Sequence, residues 1–492
     1  MMLTKLSLAT LPELEGKAAL PAYDRGALSL GILHFGIGNF HRAHQAVYLD
    51  ELFNQGRDLD FAIVGAGILP SDKPLREKLR QQDYLTTVVE QEADKSTARV
   101  TGAMIDYIQP GDTAAIIEKL ADPAIRIVSL TITEGGYYID PASGRFDPDH
   151  PDMRHDAANP AAPKTVFGLM LAGLAVRRKA GTPAFTVMSC DNIPGNGHVT
   201  ENAVAGLADQ FDPKLAQWVR ANVAFPNGMV DRITPATGDR EIGILAGEFG
   251  IEDAWPVFCE DFKQWVLEDK FPAGRPALED VGVTFVEDVA PYELMKIRIL
   301  NGGHATIAYP AALLDIHFVH EAMEDPLVRG FLEKVEREEI IPCVPPVPDT
   351  DLQDYFALIE RRFANPKIGD TVARLCLDGS NRQPKFILPS TADRLQAGKS
   401  VDGLALVSAL WCRYCAGMSD SGRVIPPNDA SHERLKAAAL DARDDPSKFL
   451  ALSDIFGTVG TNPVFAKAFA DHLTALWRDG TKATLQKFLS DG

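Results

Sequence analysis

Five short apolar runs dominate the first 191 residues, separated by stretches of helical periodicity. The runs are Leu28–Phe35, Phe61–Gly67, Tyr84–Glu90, Arg126–Thr133 and Phe185–Asp191. Helical candidates between or after them are Ala43–Asn54, Pro74–Gln81, Thr113–Leu120, Lys164–Ala180 and Thr200–Gln210. A strand buried on both faces has no water-facing side, so it reads as continuous apolar sequence. Such strands joined by helices predict a parallel sheet covered on both faces, an α/β fold. The pattern fades after about residue 285. From Pro291 onward the periodicity is mostly helical, with breaks at Pro342–Pro348 and Pro426–Pro427. The expected division is 1–285 and 286–492.

The chain carries 49 Lys and Arg against 68 Asp and Glu, a formal net charge of −19. An acidic surface repels phosphate backbones and anionic headgroups, so neither nucleic acid nor a membrane is an expected partner. The longest uncharged apolar run, Val166–Val176, is well short of the roughly 18–20 residues that span a bilayer. Six cysteines in 492 residues do not resemble a disulfide framework. The first residues lack a signal-peptide core, and the expected location is cytoplasmic.

The first apolar run leads directly into Gly36-Ile37-Gly38-Asn39-Phe40-His41. A strand, a Gly-x-Gly turn and a helix start suit a dinucleotide, because glycines let the backbone approach a pyrophosphate. The third glycine of the usual fingerprint is replaced by His41, which leaves a plain strand–helix turn as the competing reading. Asp72 follows the second run, 34 residues past Gly38. It either bonds an adenosine ribose and repels a 2′-phosphate, or simply starts the next helix.

Three polar segments interrupt apolar sequence. Ser189–Gly197 stands at the C-terminal end of an expected strand, and Phe225–Pro235 has similar composition; both also read as turns. The third, Glu293–His304, reads as helix. At about 100° per residue, Glu293, Lys296, Asn301 and His304 share an arc of about 140°. The flanking sequence is apolar enough for an interior helix, although a solvated polar face remains the alternative. Burial of Lys296 would disfavour its charged form and let it act as a base. His317/His320 and His41/His44 lack a third ligand nearby in sequence, so no metal is expected. Cys412-Arg413-Tyr414-Cys415 lies in a helical stretch with no second pair and reads as buried helix.

Taken together, His34–Gln45, Thr131–Tyr137, Ser189–Asn192, Phe225–Pro235 and Lys296–His304 resemble the polyol-specific long-chain dehydrogenase/reductase family. Five motifs in the family's order span nearly the whole chain. The resemblance implies a Rossmann-type N-terminal domain with insertions and a mostly α-helical C-terminal domain, with the active site between them. It also implies metal-independent hydride transfer between NAD and a secondary alcohol.

By motif, Lys296 corresponds to the general base, Asn192 and Asn301 to two oxyanion donors, and His304 to a substrate-orienting histidine. Glu293 corresponds to a proton-relaying carboxylate, and Asp231 and Arg374 to polar contacts with the sugar chain. Gly36, Gly38, Asn39, Phe40 and Asp72 fall to the cofactor. Relatives often pair two acidic residues after the second strand where this chain has Ser71-Asp72. NAD therefore stays favoured, with less strict rejection of NADP.

The implied reaction interconverts D-mannitol and D-fructose, with D-arabinitol/D-xylulose and D-sorbitol as further substrates. The alternatives are a uronate (fructuronate) reductase of the same family and a non-catalytic sugar or nucleotide sensor. The small-molecule polyol or ketose is the expected partner, with the chain a monomer or small homo-oligomer.

Overall fold

The computed structural model describes residues 3–140 and 144–490. The chain forms two compact units, Met1–Ala290 and Pro291–Gly492.

The first unit is organised around five parallel strands: β1 (Leu30–Phe35), β2 (Ala62–Ala66), β3 (Met104–Tyr107), β4 (Ile127–Leu130) and β5 (Thr186–Ser189). Their spatial order is β3-β2-β1-β4-β5. The chain leaves β1 in one direction for β2 and β3, then returns to the other side for β4 and β5. This reversal is the switch point of a doubly wound sheet, where a crevice opens at the C-terminal ends of β1 and β4.

Alternation along β1 divides the core. Leu33 and Phe35 face one apolar layer with Val128, Leu130, Phe167 and Met170. Ile32 faces the opposite layer with Ile63, Tyr48, Leu52 and Trp265. Helix Val166–Ala180 covers the first face; Thr165 caps its start through Gly168 N, and Gly181 ends it at φ 71°.

The expected run at Tyr84–Glu90 is a strand, Thr86–Gln91, outside the parallel sheet. It pairs antiparallel with Ser96–Thr101 and parallel with Val257–Glu260. The third parallel strand is instead the four-residue β3. Its partly exposed Ile105 and Asp106 hid it from a search for apolar runs. A further sheet joins Gly228–Asp231, Gln264–Glu268 and Thr284–Val286. The helix expected over 43–54 is two pieces, Asn39–Ala43 and Gln45–Asn54, broken at His44 (φ −120°, ψ −89°).

The second unit is helical. Helix Gly302–Leu313 is buried on nearly every side, and Asp402–Cys415 is equally enclosed. Cys412 and Cys415 are buried free thiols on the latter, as its sequence suggested. Among the described residues no helix is long and apolar enough to cross a membrane.

Candidate active site

In the first unit the glycine turn crosses the top of the switch point. Gly36 has φ 93°, and a Cβ there would lie 2.0 Å from the Thr131 carbonyl oxygen, so only glycine fits. Gly38 N donates to Gly36 O at 2.7 Å, which closes the turn. Gly38 has φ −81°, and a Cβ on it would meet nothing within 4 Å. Its outer face is open backbone, as close approach of a pyrophosphate requires.

Asn39 is engaged within the protein. Its Nδ2 donates to Pro235 O and Thr237 Oγ1, and its Oδ1 accepts from Arg42 Nη2 at 2.8 Å. Phe40 stacks on His44 with centroids 4.8 Å apart. The missing third glycine has a structural equivalent: His41 stacks on His34 of β1 at 3.5 Å. Asp72 begins a helix beyond the C-terminal end of β2, and its Oδ2 accepts from Leu69 N at 2.9 Å.

The two Asn/Gly/Pro clusters lock each other, the first where it enters helix Asn196–Asp209 and the second where it enters strand Gly228–Asp231. Asn196 Nδ2 donates to Gly228 O at 2.8 Å, and Asn196 Oδ1 accepts from Gly228 N at 2.9 Å. In return, Asn227 Oδ1 accepts from Gly197 N and His198 N. Asn192, exposed just past β5, and Asp231, buried at the end of Gly228–Asp231, are carried on the two halves of this lock.

Sequence reasoning passed over Asp191 beside them. Its carboxylate accepts from Ile132 N, Thr133 N and the Tyr137 hydroxyl. It thereby holds the loop after β4, where Thr133 is forced to φ 65°. Burial raises the Asp191 carboxyl above its ordinary range despite these bonds. An Asp in an Asp-Asn-x-Pro turn gives no sign of that reach across the sheet.

In the second unit the expected helix over 293–304 contains a wide turn. Ala290–Met295 and Gly302–Leu313 are α-helical, while Lys296–Asn301 forms a π-turn. A π-bulge acts as one inserted residue, so positions after it rotate back by about 100° relative to those before. Glu293, Lys296, Asn301 and His304 then fall within about 80°, narrower than a regular helix would give. Lys296 is 6% exposed, and Glu293, Asn301 and His304 are half-buried.

Arg298 fastens the wide turn. It donates to Cys343 O at 2.7 Å and pairs with Asp393 at 2.6 Å. Behind Gly303, Glu336 is wholly buried on a second π-turn, Glu336–Ile340; burial pushes its carboxyl well above the usual range and keeps it neutral. His304 stacks on Phe363. Burial first, then the nearby Arg374, Arg362 and Arg382 guanidinium groups, holds its imidazole well below the usual range. His304 is therefore neutral near pH 7 and can either donate or accept. Arg374 reaches His304 electrostatically, while its own fork is held by Asp370 (Nε to Oδ1, 2.5 Å). Among the described residues no group of three or more His, Cys, Asp or Glu side chains is placed to hold a metal ion.

Comparison with known proteins finds two family models end to end. Residues 30–280 match the mannitol dehydrogenase Rossmann domain, and 288–477 match the mannitol dehydrogenase C-terminal domain. Mannitol 2-dehydrogenase of Cereibacter sphaeroides is 60% identical over 471 residues, covering 96% of this chain and 98% of that protein. Mannitol 2-dehydrogenase of Pyricularia oryzae is 41% identical over 484 residues, covering 97% and 96%. Among solved structures, Pseudomonas fluorescens mannitol 2-dehydrogenase in ternary complex with NAD and D-mannitol matches with TM-score 0.88 and 44% identity, over 99% of this chain and 100% of that one. Substrate-free D-sorbitol dehydrogenase matches with TM-score 0.90 and 36% identity, over 98% and 100%.

Proposed function

Since the chain belongs to the mannitol dehydrogenase family, we propose that it interconverts D-mannitol and D-fructose, with Lys296 as the general base. It is an NAD-dependent polyol dehydrogenase of the mannitol 2-dehydrogenase type. The observation that supports the lysine mechanism best is the polar stripe Glu293–Lys296–Asn301–His304, gathered by the wide turn onto one line of an otherwise buried helix.

The open backbone at Gly38 and the obligatory Gly36 fit a dinucleotide at the switch point, with Asp72 beyond β2 for the ribose. When bound, the nicotinamide cofactor supplies hydride acceptance. This chain's residues manage the proton and the oxygen. Neutral Lys296 takes the proton of the substrate C2 hydroxyl, and the C2–O bond becomes a carbonyl as the C2–H pair departs as hydride. Amide donors at Asn301 and Asn192 stabilise the oxygen while it carries negative charge, without reorganising. His304 orients the hydroxyl, Glu293 passes the proton from Lys296 toward water, and Asp231 and Arg374 read the sugar chain.

D-Sorbitol is a further substrate in this reading, supported by the likeness to D-sorbitol dehydrogenase, and D-arabinitol, oxidised to D-xylulose, is another. The test is NADH formation at about pH 9–10 with D-mannitol, D-arabinitol and D-sorbitol, beside NADH consumption near pH 7 with D-fructose and D-fructuronate. Chelator-resistant turnover of mannitol and fructose is expected. Turnover of fructuronate alone would overturn the substrate assignment and leave the lysine mechanism standing.

A further inference from the structure

Beneath the glycine turn lies a buried polar cluster that hydride transfer does not use. His34, His41, Gln45 and Ser129 are each at most 2% exposed, and Thr131 lies above them at the mouth of the sheet. His34 Nδ1 is 2.7 Å from Ser129 Oγ, and Ser129 Oγ is 3.0 Å from Gln45 Oε1, an oxygen whose position the amide nitrogen fits equally well. His34 Nε2 is 2.9 Å from Thr131 Oγ1 and 3.2 Å from Gly36 O; Thr131 Oγ1 is 2.5 Å from the same carbonyl.

The proton order follows from what each atom can do. Burial holds the His34 imidazole down at about 3, so one ring nitrogen donates and the other accepts. Gly36 O only accepts. Beside Gly38 N, its close neighbours are His34 Nε2 and Thr131 Oγ1, which are therefore donors as well, and Nδ1 is the acceptor. Ser129 must then donate to Nδ1, which leaves its oxygen to accept from the Gln45 NH₂. That requires the Gln45 amide nitrogen, otherwise buried without a partner, to occupy the position facing Ser129. The amide oxygen then takes the other position of the Gln45 side chain.

The opposite order satisfies less. It would set the Thr131 and Gly36 oxygens 2.5 Å apart as two acceptors, and leave the Gln45 NH₂ buried and unpaired.

We propose that Gln45, Ser129, His34 and Thr131 form a one-way hydrogen-bond relay ending on Gly36 O, which holds the glycine turn in the conformation that binds the nicotinamide cofactor. These are positioning residues, and the proposal rests on the reading that this turn holds the cofactor. The relay spans the switch point, from the helix after the turn, through β4, to the end of β1. Losing any hydroxyl removes part of the hold on the Gly36 carbonyl, leaving Gly38 N as its firm donor, and the loosened turn costs cofactor affinity.

The test is NADH binding by fluorescence titration, with separate KM values for NAD and polyol and with thermal midpoints. Thr131→Ala and Thr131→Ser differ only in the hydroxyl. Ser129→Ala breaks the relay at a second point without adding bulk. We expect Thr131→Ala and Ser129→Ala to weaken NADH binding and raise the NAD KM about tenfold, one link's worth of about 1.4 kcal/mol. Polyol KM should change less than twofold, and Thr131→Ser should bind NADH like the parent. Val187→Ala, in β5 and outside the relay, serves as a stability control with unchanged NADH affinity.

If Thr131→Ala and Ser129→Ala lower the thermal midpoint as Val187→Ala does yet keep NADH affinity, the relay is structural only and the proposal falls. Gly38→Asp tests the underlying reading, because the fold has room for the side chain there. NADH affinity unchanged in Gly38→Asp would mean that the turn does not hold the cofactor, and both would fall. Lost affinity in Gly38→Asp with none lost in Thr131→Ala and Ser129→Ala overturns the relay alone.

Discussion

His304 and Phe363 lie ring against ring, with centroids 4.2 Å apart and planes 15° from parallel. The stack fixes the plane of a neutral imidazole whose Nε2 is buried without a partner among the described residues. Truncating Phe363 would let the imidazole tip and lose about 0.5–1.5 kcal/mol of ring contact. Phe363→Leu is expected to raise polyol KM several-fold while leaving NADH affinity unchanged. Steady-state kinetics with each substrate varied in turn checks this.

Lys296→Ala removes the base from the wide turn. Turnover should fall roughly 10²–10⁴-fold, the usual worth of a positioned proton acceptor. NADH binding should stay within twofold of the parent, as measured by fluorescence titration. Unchanged turnover would sink the assignment.

Gly36→Ala and Gly38→Ala separate two kinds of glycine. At Gly36 the methyl would meet the Thr131 carbonyl, and the backbone sits at φ 93°. Strain and overpacking together should cost about 3 kcal/mol or more, if the variant folds at all. Gly38→Ala meets open space at φ −81° and should cost less than about 1 kcal/mol. Urea midpoints of the two variants give the comparison.

His44 gives a pH test with a definite sign. It is wholly buried, its Nε2 donates to Gln264 O at 2.9 Å, and burial lowers its imidazole to about 3. Below about 6.5 the unfolded chain takes up a proton that the folded chain refuses, so the stability His44 contributes is present above 6.5 and declines as pH falls toward 3. The loss runs at about 1.4 kcal/mol per pH unit. The stability gap between the parent and His44→Gln should therefore shrink by about 2 kcal/mol between pH 7 and pH 5. Urea denaturation at the two pH values measures it, and a constant gap would contradict a neutral His44.

Asp72→Asn keeps an acceptor for Leu69 N and removes the charge. If the carboxylate faces the ribose, its loss should lower the KM for NADP about five- to tenfold, the value of one repulsion of about 1 kcal/mol in a partly exposed site. Equal NADP kinetics with an unchanged thermal midpoint would leave Asp72 as a helix start and nothing more.

The sequence showed the doubly wound sheet wherever strands were buried on both faces, as at Leu30–Phe35 and Ile127–Leu130. It hid Met104–Tyr107, because periodicity speaks only for strands that bury both faces, and Asp106 and Ile105 break the run. At the site, Lys296 and its neighbours stood out because polar residues are costly in an apolar helix. The wide turn at Lys296–Asn301 left no mark in composition, since Lys-Ile-Arg-Ile-Leu-Asn suits an ordinary α-helix equally well. Asn196 and Asn227 read as turn formers, but one opens a helix and the other stands just before a strand, and their reciprocal bonds join residues 32 and 30 apart in sequence. The three buried histidines, His34 in β1 and His41 and His44 after it, looked like part of a motif. Their stacking and tautomers become visible only once β1 and β4 lie side by side.

The wide turn amounts, genetically, to a single codon. Deleting any one residue between Lys296 and Asn301 would turn the segment into an ordinary α-helix with tidier backbone bonds, and the protein would keep its long buried helix. Everything beyond the deletion would keep its bearing, because the residue lost is the one that the wide turn absorbs, and Asn301 and His304 would stay on the line of Lys296. Straightening the turn with every residue kept is what would wind Asn301 and His304 on by about 100°, so the extra residue and the irregularity that absorbs it are a matched pair, each harmless only in the presence of the other.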